Sequence, residues 1–251
     1  MTARDRILDR LRAARPATPQ DAGAGADPGR ERHVAAHAAD ARDAGLEARI
    51  DAHFAARREN PPPPPHVLAQ RMQAALEAAR AQAWCASDDA WPAQLAARMR
   101  DAGVRRVVVD TATPEGRMLR AAVPDDIEPV AFDRPLQDWK AELFGTVDAG
   151  FTVARSGIAA TGTLVLAPDA VAPRTVSLVP PLHVALVYAS TLHADLHAAL
   201  HAERWQDGMP TNLVLATGPS RTSDIQQTLA FGAHGPRWTW VVIVTDTKGQ
   251  Q

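Results

Sequence analysis

The chain has 251 residues, a formal net charge of −2 and one cysteine, Cys85. That length suits one α/β domain with an extension, or at most two small domains. The absence of a lysine- and arginine-rich block speaks against nucleic acid or anionic membrane as a partner, and one thiol is too few for an internal disulfide, an iron–sulfur cluster or a zinc ribbon.

In chain order, Met1-Thr2-Ala3-Arg4-Asp5-Arg6 runs straight into charged residues. With no apolar stretch near 18 residues, the reading is a cytoplasmic protein with no signal peptide and no membrane span. Ile7, Leu8 and Leu11 give a short helical stripe, and Pro16 to Gly29 reads as a flexible linker. Glu31 to Arg58 reads as a helix with a thin apolar stripe at Leu46, Ile50 and Phe54. Pro61 to Pro65 should be polyproline II, a semi-rigid spacer of about 15 Å. The expected organisation is therefore a helical and flexible extension over 1–60 and an α/β domain over 61–251.

Beyond the prolines, Leu68, Met72, Ala75, Leu76, Ala79 and Ala83 form one helix face. Cys85 reads as a packed or half-exposed thiol rather than a nucleophile. Trp91 to Ala102 is a second helix closed by Gly103. Arg105 to Asp110 is a buried strand, Pro114 to Ala122 a short helix, and Glu128 to Phe132 a strand. Phe151 to Ile158 and Thr163 to Ala167 are β-rich runs around the tight segment 159–162. Strands are expected at 176–179, 184–188, 213–216 and 238–245, and helices at 191–204 and 222–231. Val/Leu/Ile runs alternating with helices indicate a mostly parallel sheet covered on both faces, a three-layer α/β/α fold.

Three segments are rich in glycine, hydroxyls or histidine. In the first, Ser156 to Thr163, Gly162 lets backbone approach a ligand, and Thr161 and Thr163 offer hydroxyls; a plain β-bend explains the glycine equally well. The second, Thr217 to Ile225, leaves a strand and opens an expected helix. It offers Gly218, Ser220, Arg221, Thr222 and Asp224 to a carboxylate or phosphate. Ser223 and Gln226 have capping-box spacing, which accounts for Ser223 but not for Arg221. The third, Phe231 to Pro236, carries His234 between two glycines; His183 follows Pro180-Pro181-Leu182 at a strand start. Neither a dinucleotide fingerprint nor a Walker loop is present, so no cofactor is expected. His193, His197 and His201 are spaced for one helix face and read as a solvated stripe, so no metal is expected.

Together these segments carry a resemblance. The order Ala154-Arg155-Ser156-Gly157-Ile158-Ala159-Ala160-Thr161-Gly162-Thr163, Arg174, Leu178-Val179-Pro180-Pro181-Leu182-His183, Gly218-Pro219-Ser220-Arg221-Thr222-Ser223-Asp224-Ile225 and Gly232-Ala233-His234-Gly235-Pro236 resembles the LUD domain, and the lactate utilization protein C family in particular. The resemblance runs most clearly over 65–245. It implies a fold like that of glucosamine-6-phosphate deaminase, ribose-5-phosphate isomerase and CoA transferases. It implies a role in oxidising L-lactate to pyruvate beside iron–sulfur partner proteins. Two positions depart from the family pattern: Ala160 stands where a glutamate is common, and Gln226 where the family has glutamate after Asp-Ile.

Three functions therefore stand side by side. One is an accessory, non-redox component of a lactate-oxidising system that binds a small carboxylate or phosphate. The second is an isomerase or CoA-transferase-like enzyme, against which Ala160 counts. The third is a regulatory anion-binding module.

Overall fold

The structure is a computed structural model that describes residues 45–222, 230–232 and 234–246. The stripe at Ile7, Leu8 and Leu11, the 16–29 linker, the first part of the 31–58 helix, and Ser223, Asp224 and Gln226 lie outside the described residues. The chain divides into two compact units, Met1–Arg58 and Glu59–Gln251. In the first, helix α1 covers residues 45–55, with Leu46 and Ile50 exposed.

The second unit opens at the proline run. Pro64 is extended, with φ −68° and ψ 159°, and Pro65 is the first residue of helix α2 (Pro65–Ala78). Proline fits a first helical turn because its missing N–H has no partner there anyway. Leu68, Met72 and Leu76 follow at spacing four and are buried, as one helix face should be. Strand β1 (Gln82–Ser87), helix α3 (Trp91–Asp101), strand β2 (Arg106–Val108), helix α4 (Pro114–Ala122), strand β3 (Glu128–Val130), helix α5 (Leu136–Gly145) and strand β4 (Ala149–Val153) come next. Gly103, at φ +75°, stands just past α3, where a left-handed residue ends a helix.

A six-stranded sheet in the order β1-β12-β7-β4-β2-β3 forms the middle layer, with β7 (Leu182–Tyr188) and β12 (Trp238–Asp246) at its centre. Every neighbouring pair is parallel. One face buries Trp84, Trp240, Val184, Leu186 and Phe151 with Trp91, Leu95 and Leu119 of α3 and α4. The other buries Ala185, Val187, Val241 and Ile243 with Leu68, Met72 and Leu76 of α2. The middle strands are apolar on both faces because helices cover both. The expected three-layer α/β fold is present, and no helix among the described residues is long and apolar enough to cross a membrane.

Several elements differ from the periodicity. The run 151–158 is not one strand: β4 stays in the large sheet, and β5 (Ser156–Ile158) enters a second sheet, β8-β5-β6-β9. There β5 and β6 (Thr163–Leu166) form the antiparallel hairpin expected around 159–162. Strand β9 (Val214–Ala216) pairs antiparallel with β6 rather than joining the parallel sheet. The expected strand 176–179 is helix α6 (Arg174–Leu178). A Cβ on Gly150 would sit 1.9 Å from the Val176 carbonyl oxygen. That close seat for a helical turn, between Pro173 and Pro180, overrides β-propensity. The expected helix 191–204 is a 3-10 turn, a short strand β8 (Leu192–His193) and helix α7 (Leu196–Ala202). Asp195 starts α7 by accepting from the Ala198 N–H at 2.7 Å. Helix α5 gave no clear signal in the sequence, and Ala83 belongs to β1 rather than to the helix before it.

Candidate functional site

The bend after β5 is built by its neighbours. Ala159 and Ala160 donate to the carbonyls of His193 and Ala194, and the chain then turns through Gly162 at φ +65°. A Cβ there would lie 2.7 Å from the Leu76 nitrogen. The second segment makes the same demand. Gly218 has φ +75°, and a Cβ would lie 2.8 Å from the Ala79 carbonyl oxygen. Both glycine turns are therefore pressed against the C-terminal end of α2, where only a residue without a side chain fits.

The three segments meet. Thr161 Oγ1 lies 2.7 Å from Thr163 Oγ1, and Thr163 Oγ1 lies 2.6 Å from Thr217 Oγ1, a chain of three hydroxyls joining the first segment to the second. The second joins the third through the Ser220 N–H, which donates to Pro236, and the Gly232 N–H, which donates to Ser220. Strand β10 (Arg221–Thr222) pairs antiparallel with β11 (Ala230–Phe231). Arg221 and His234 are exposed. The expected anion site of Ser220, Arg221 and Thr222 at the start of a helix over 222–231 is corrected here: Arg221 and Thr222 are instead strand residues, as are Ala230 and Phe231, and 223–229 lie outside the described residues. Asp224 lies outside the described residues.

His183 is also corrected. It is 2% exposed inside the large sheet, on β7. Its Nε2 lies 2.8 Å from Thr152 Oγ1 of β4. Register places it beside Gly150 and Thr239. Burial lowers its pKa to about 4, so it is a neutral core histidine rather than a wall of the hydroxyl chain. The chain of hydroxyls belongs to the other sheet.

Sequence reasoning missed a carboxylate. Glu203 follows α7, and its side chain is 8% exposed. It accepts from Ser156 Oγ and, at 3.0 Å, from Trp205 Nε1. Arg155 Nε lies 2.9 Å and His193 Nε2 3.8 Å from its two oxygens. Burial lowers the pKa of His193, and the Glu203 charge opposes that shift. Glu203 thus clamps Arg155 and Ser156, the head of the first segment, from 47 residues away; no sequence pattern links those positions. Ala160, where the family pattern has glutamate, is exposed.

A cavity of about 300 Å³ opens at the amino ends of β1, β7 and β12, lined among others by Gln82, Gly103, Asp148, Pro181, Trp238 and Trp240. Asp148 Oδ2 accepts the Arg105 and Arg106 N–H groups at 2.8 and 2.9 Å, which fixes that wall. Cys85 is exposed, and partial burial raises its thiol pKa. A raised pKa disfavours the thiolate, the form a nucleophile needs.

The family profile described as LUD domain matches residues 69–244. An uncharacterized protein of Neisseria meningitidis serogroup B is 43% identical over 166 residues, covering 65% of this chain and 71% of that protein. Lactate utilization protein C of Anoxybacillus flavithermus is 34% identical over 97 residues, and lactate utilization protein C 1 of Bacillus mycoides 35% over 103 residues. Each of those two alignments covers 39% of this chain and 44% of the relative, less than half its length. Among solved structures, a DUF162 family protein from Deinococcus radiodurans superposes with a TM-score of 0.51 at 22% identity. That superposition covers 73% of this chain and 99% of the other, and supports the fold.

Proposed function

Because the chain belongs to the LUD domain family, we propose that it serves lactate utilization as an accessory component of L-lactate oxidation, working beside iron–sulfur partner proteins and binding a small carboxylate or phosphate. The lactate context rests on relatives named lactate utilization protein C. The division of labour rests on composition: one cysteine cannot hold a cluster, so electron transfer falls to partners.

The observation that carries the anion site is the hydroxyl chain Thr161–Thr163–Thr217. It joins two family segments, each turning through a glycine that α2 will not let carry a side chain. Arg221 stands four residues after Thr217, on the segment that Ser220 ties to the His234 loop. Hydroxyls and a guanidinium are the donor set for a carboxylate or a phosphate, and charge-assisted hydrogen bonds from Arg221 contribute about 1.5–3 kcal/mol. Ala160 stands where the family pattern commonly has a glutamate; if that glutamate is an acid/base group, this chain lacks it.

Calorimetric titration of the full chain with L-lactate, pyruvate and inorganic phosphate tests this. One of the three should bind, and Arg221→Ala and Thr163→Val should each weaken it by about tenfold, as the loss of one such hydrogen bond implies. Equal affinity in both variants, or no binding by any of the three, overturns the anion site. The partner assignment is tested separately, by whether iron–sulfur proteins co-purify with the tagged chain from lactate-grown cells.

A further inference from the structure

The histidine stripe does not survive folding as three. His193 leaves the helix for β8, where it pairs in register with Ile158 and faces Glu203. His197 and His201 remain on α7, four residues apart and so on one face. They are not a solvated stripe. His197 is 7% exposed, His201 is exposed, and their Nε2 atoms lie 3.1 Å apart. The rings approach edge to face, 4.4 Å between centroids at 66°.

The two Nε2 atoms thus lie within hydrogen-bond distance of each other. Two neutral imidazoles can satisfy this by one N–H donating to the other's lone pair, or both lone pairs can converge on one cation. Nitrogens bound at about 2.0–2.1 Å stand about 3.4 Å apart around a tetrahedral ion and about 2.9 Å apart at a right angle. The observed 3.1 Å falls between these separations. The support is rigid as well. Asp195 caps the helix, and Ala199, fully buried, anchors it against Ile158, Val165 and Trp205. A pair held this way is preorganised, so little ordering is needed on binding.

We propose that His197 and His201 chelate a divalent transition-metal ion. The donor set fixes the class. Two imidazoles suit Cu²⁺, Ni²⁺, Zn²⁺ or Co²⁺ and are poor ligands for Mg²⁺ or Ca²⁺. Two nitrogens do not complete a four-coordinate sphere, so further ligands would join them on the ion. Exposed His201 gives the ion its path from solvent.

The test uses the full chain after dialysis against a chelator, with Cu²⁺ and Zn²⁺ as probes. Electron paramagnetic resonance of the first Cu²⁺ equivalent should show two or more equatorial nitrogens, and His201→Gln should lose one. Calorimetry with Zn²⁺ should show one tight equivalent that His201→Gln weakens by at least about tenfold, because the chelate falls to a single ligand. His201 is exposed, so this variant keeps the fold; an unchanged melting temperature without metal confirms that. A first Cu²⁺ equivalent with the same nitrogen count in both proteins, or a Zn²⁺ affinity unmoved by His201→Gln, overturns the proposal and leaves the contact as a hydrogen bond.

Discussion

Thr163 and Thr217 stand 54 residues apart in the chain, yet their Oγ1 atoms lie 2.6 Å apart. The contact exists because β9 pairs antiparallel with β6, Leu164 opposite Ala216, which brings the next residues of each strand, Thr163 and Thr217, side by side. A double-mutant cycle with Thr163→Val and Thr217→Val should return a coupling of about 0.5–1.5 kcal/mol in denaturant unfolding. Additive effects would mean that the two hydroxyls are satisfied independently.

Gly162→Ala and Gly218→Ala should each destabilise the fold by about 1–3 kcal/mol, through positive φ and the collision with the end of α2. Gly103→Ala has positive φ but open space around the added Cβ, so it should cost less. Chemical denaturation of the three variants checks the order. Equal losses would show that the press against α2 is not tight.

His183 makes stability pH-dependent. Its folded pKa, about 4, lies below the ordinary 6.5. Between those values the unfolded chain takes up a proton that the folded chain refuses. Stability from this group is therefore complete above pH 6.5 and falls as pH drops toward 4, by up to about 3 kcal/mol. Unfolding free energy measured from pH 7 to 4 should decline less steeply in His183→Gln than in the wild type.

Removing the Glu203 carboxylate leaves Ser156 Oγ and Trp205 Nε1 without their acceptor. Glu203→Ala should cost about 1–3 kcal/mol. Glu203→Gln, which keeps an acceptor but loses the charge beside Arg155, should cost less. Thermal melting of the two variants separates the hydrogen-bonding role from the charge.

A chain beginning at Glu59 should unfold cooperatively on its own. The bidentate pair of Glu59 with Arg71, at 2.5 and 3.0 Å, lies within the second unit and would be retained. Aggregation of that fragment would assign Leu46, Ile50 and Phe54 to the core.

Sequence alone determined what depends on local periodicity and composition. Helix α4 begins at Pro114 and ends at Ala122 as read, α3 ends one residue early at Asp101 with Gly103 just past it, and the Val/Leu/Ile runs predicted a parallel sheet covered on both faces. Tertiary structure decided what depends on partners distant in sequence. The 151–158 run divides between two sheets, because Val153 pairs with β7 while Ser156 pairs with β6. The run 176–179 is helical because Gly150 offers it a seat. His183 turned from a site residue into a buried neutral one, His193 left its helix, and Glu203 reached Ser156. Residue spacing reports which face a side chain takes along its own element. Which elements then meet is set by strand pairing and by burial, and these bind residues that no local pattern relates.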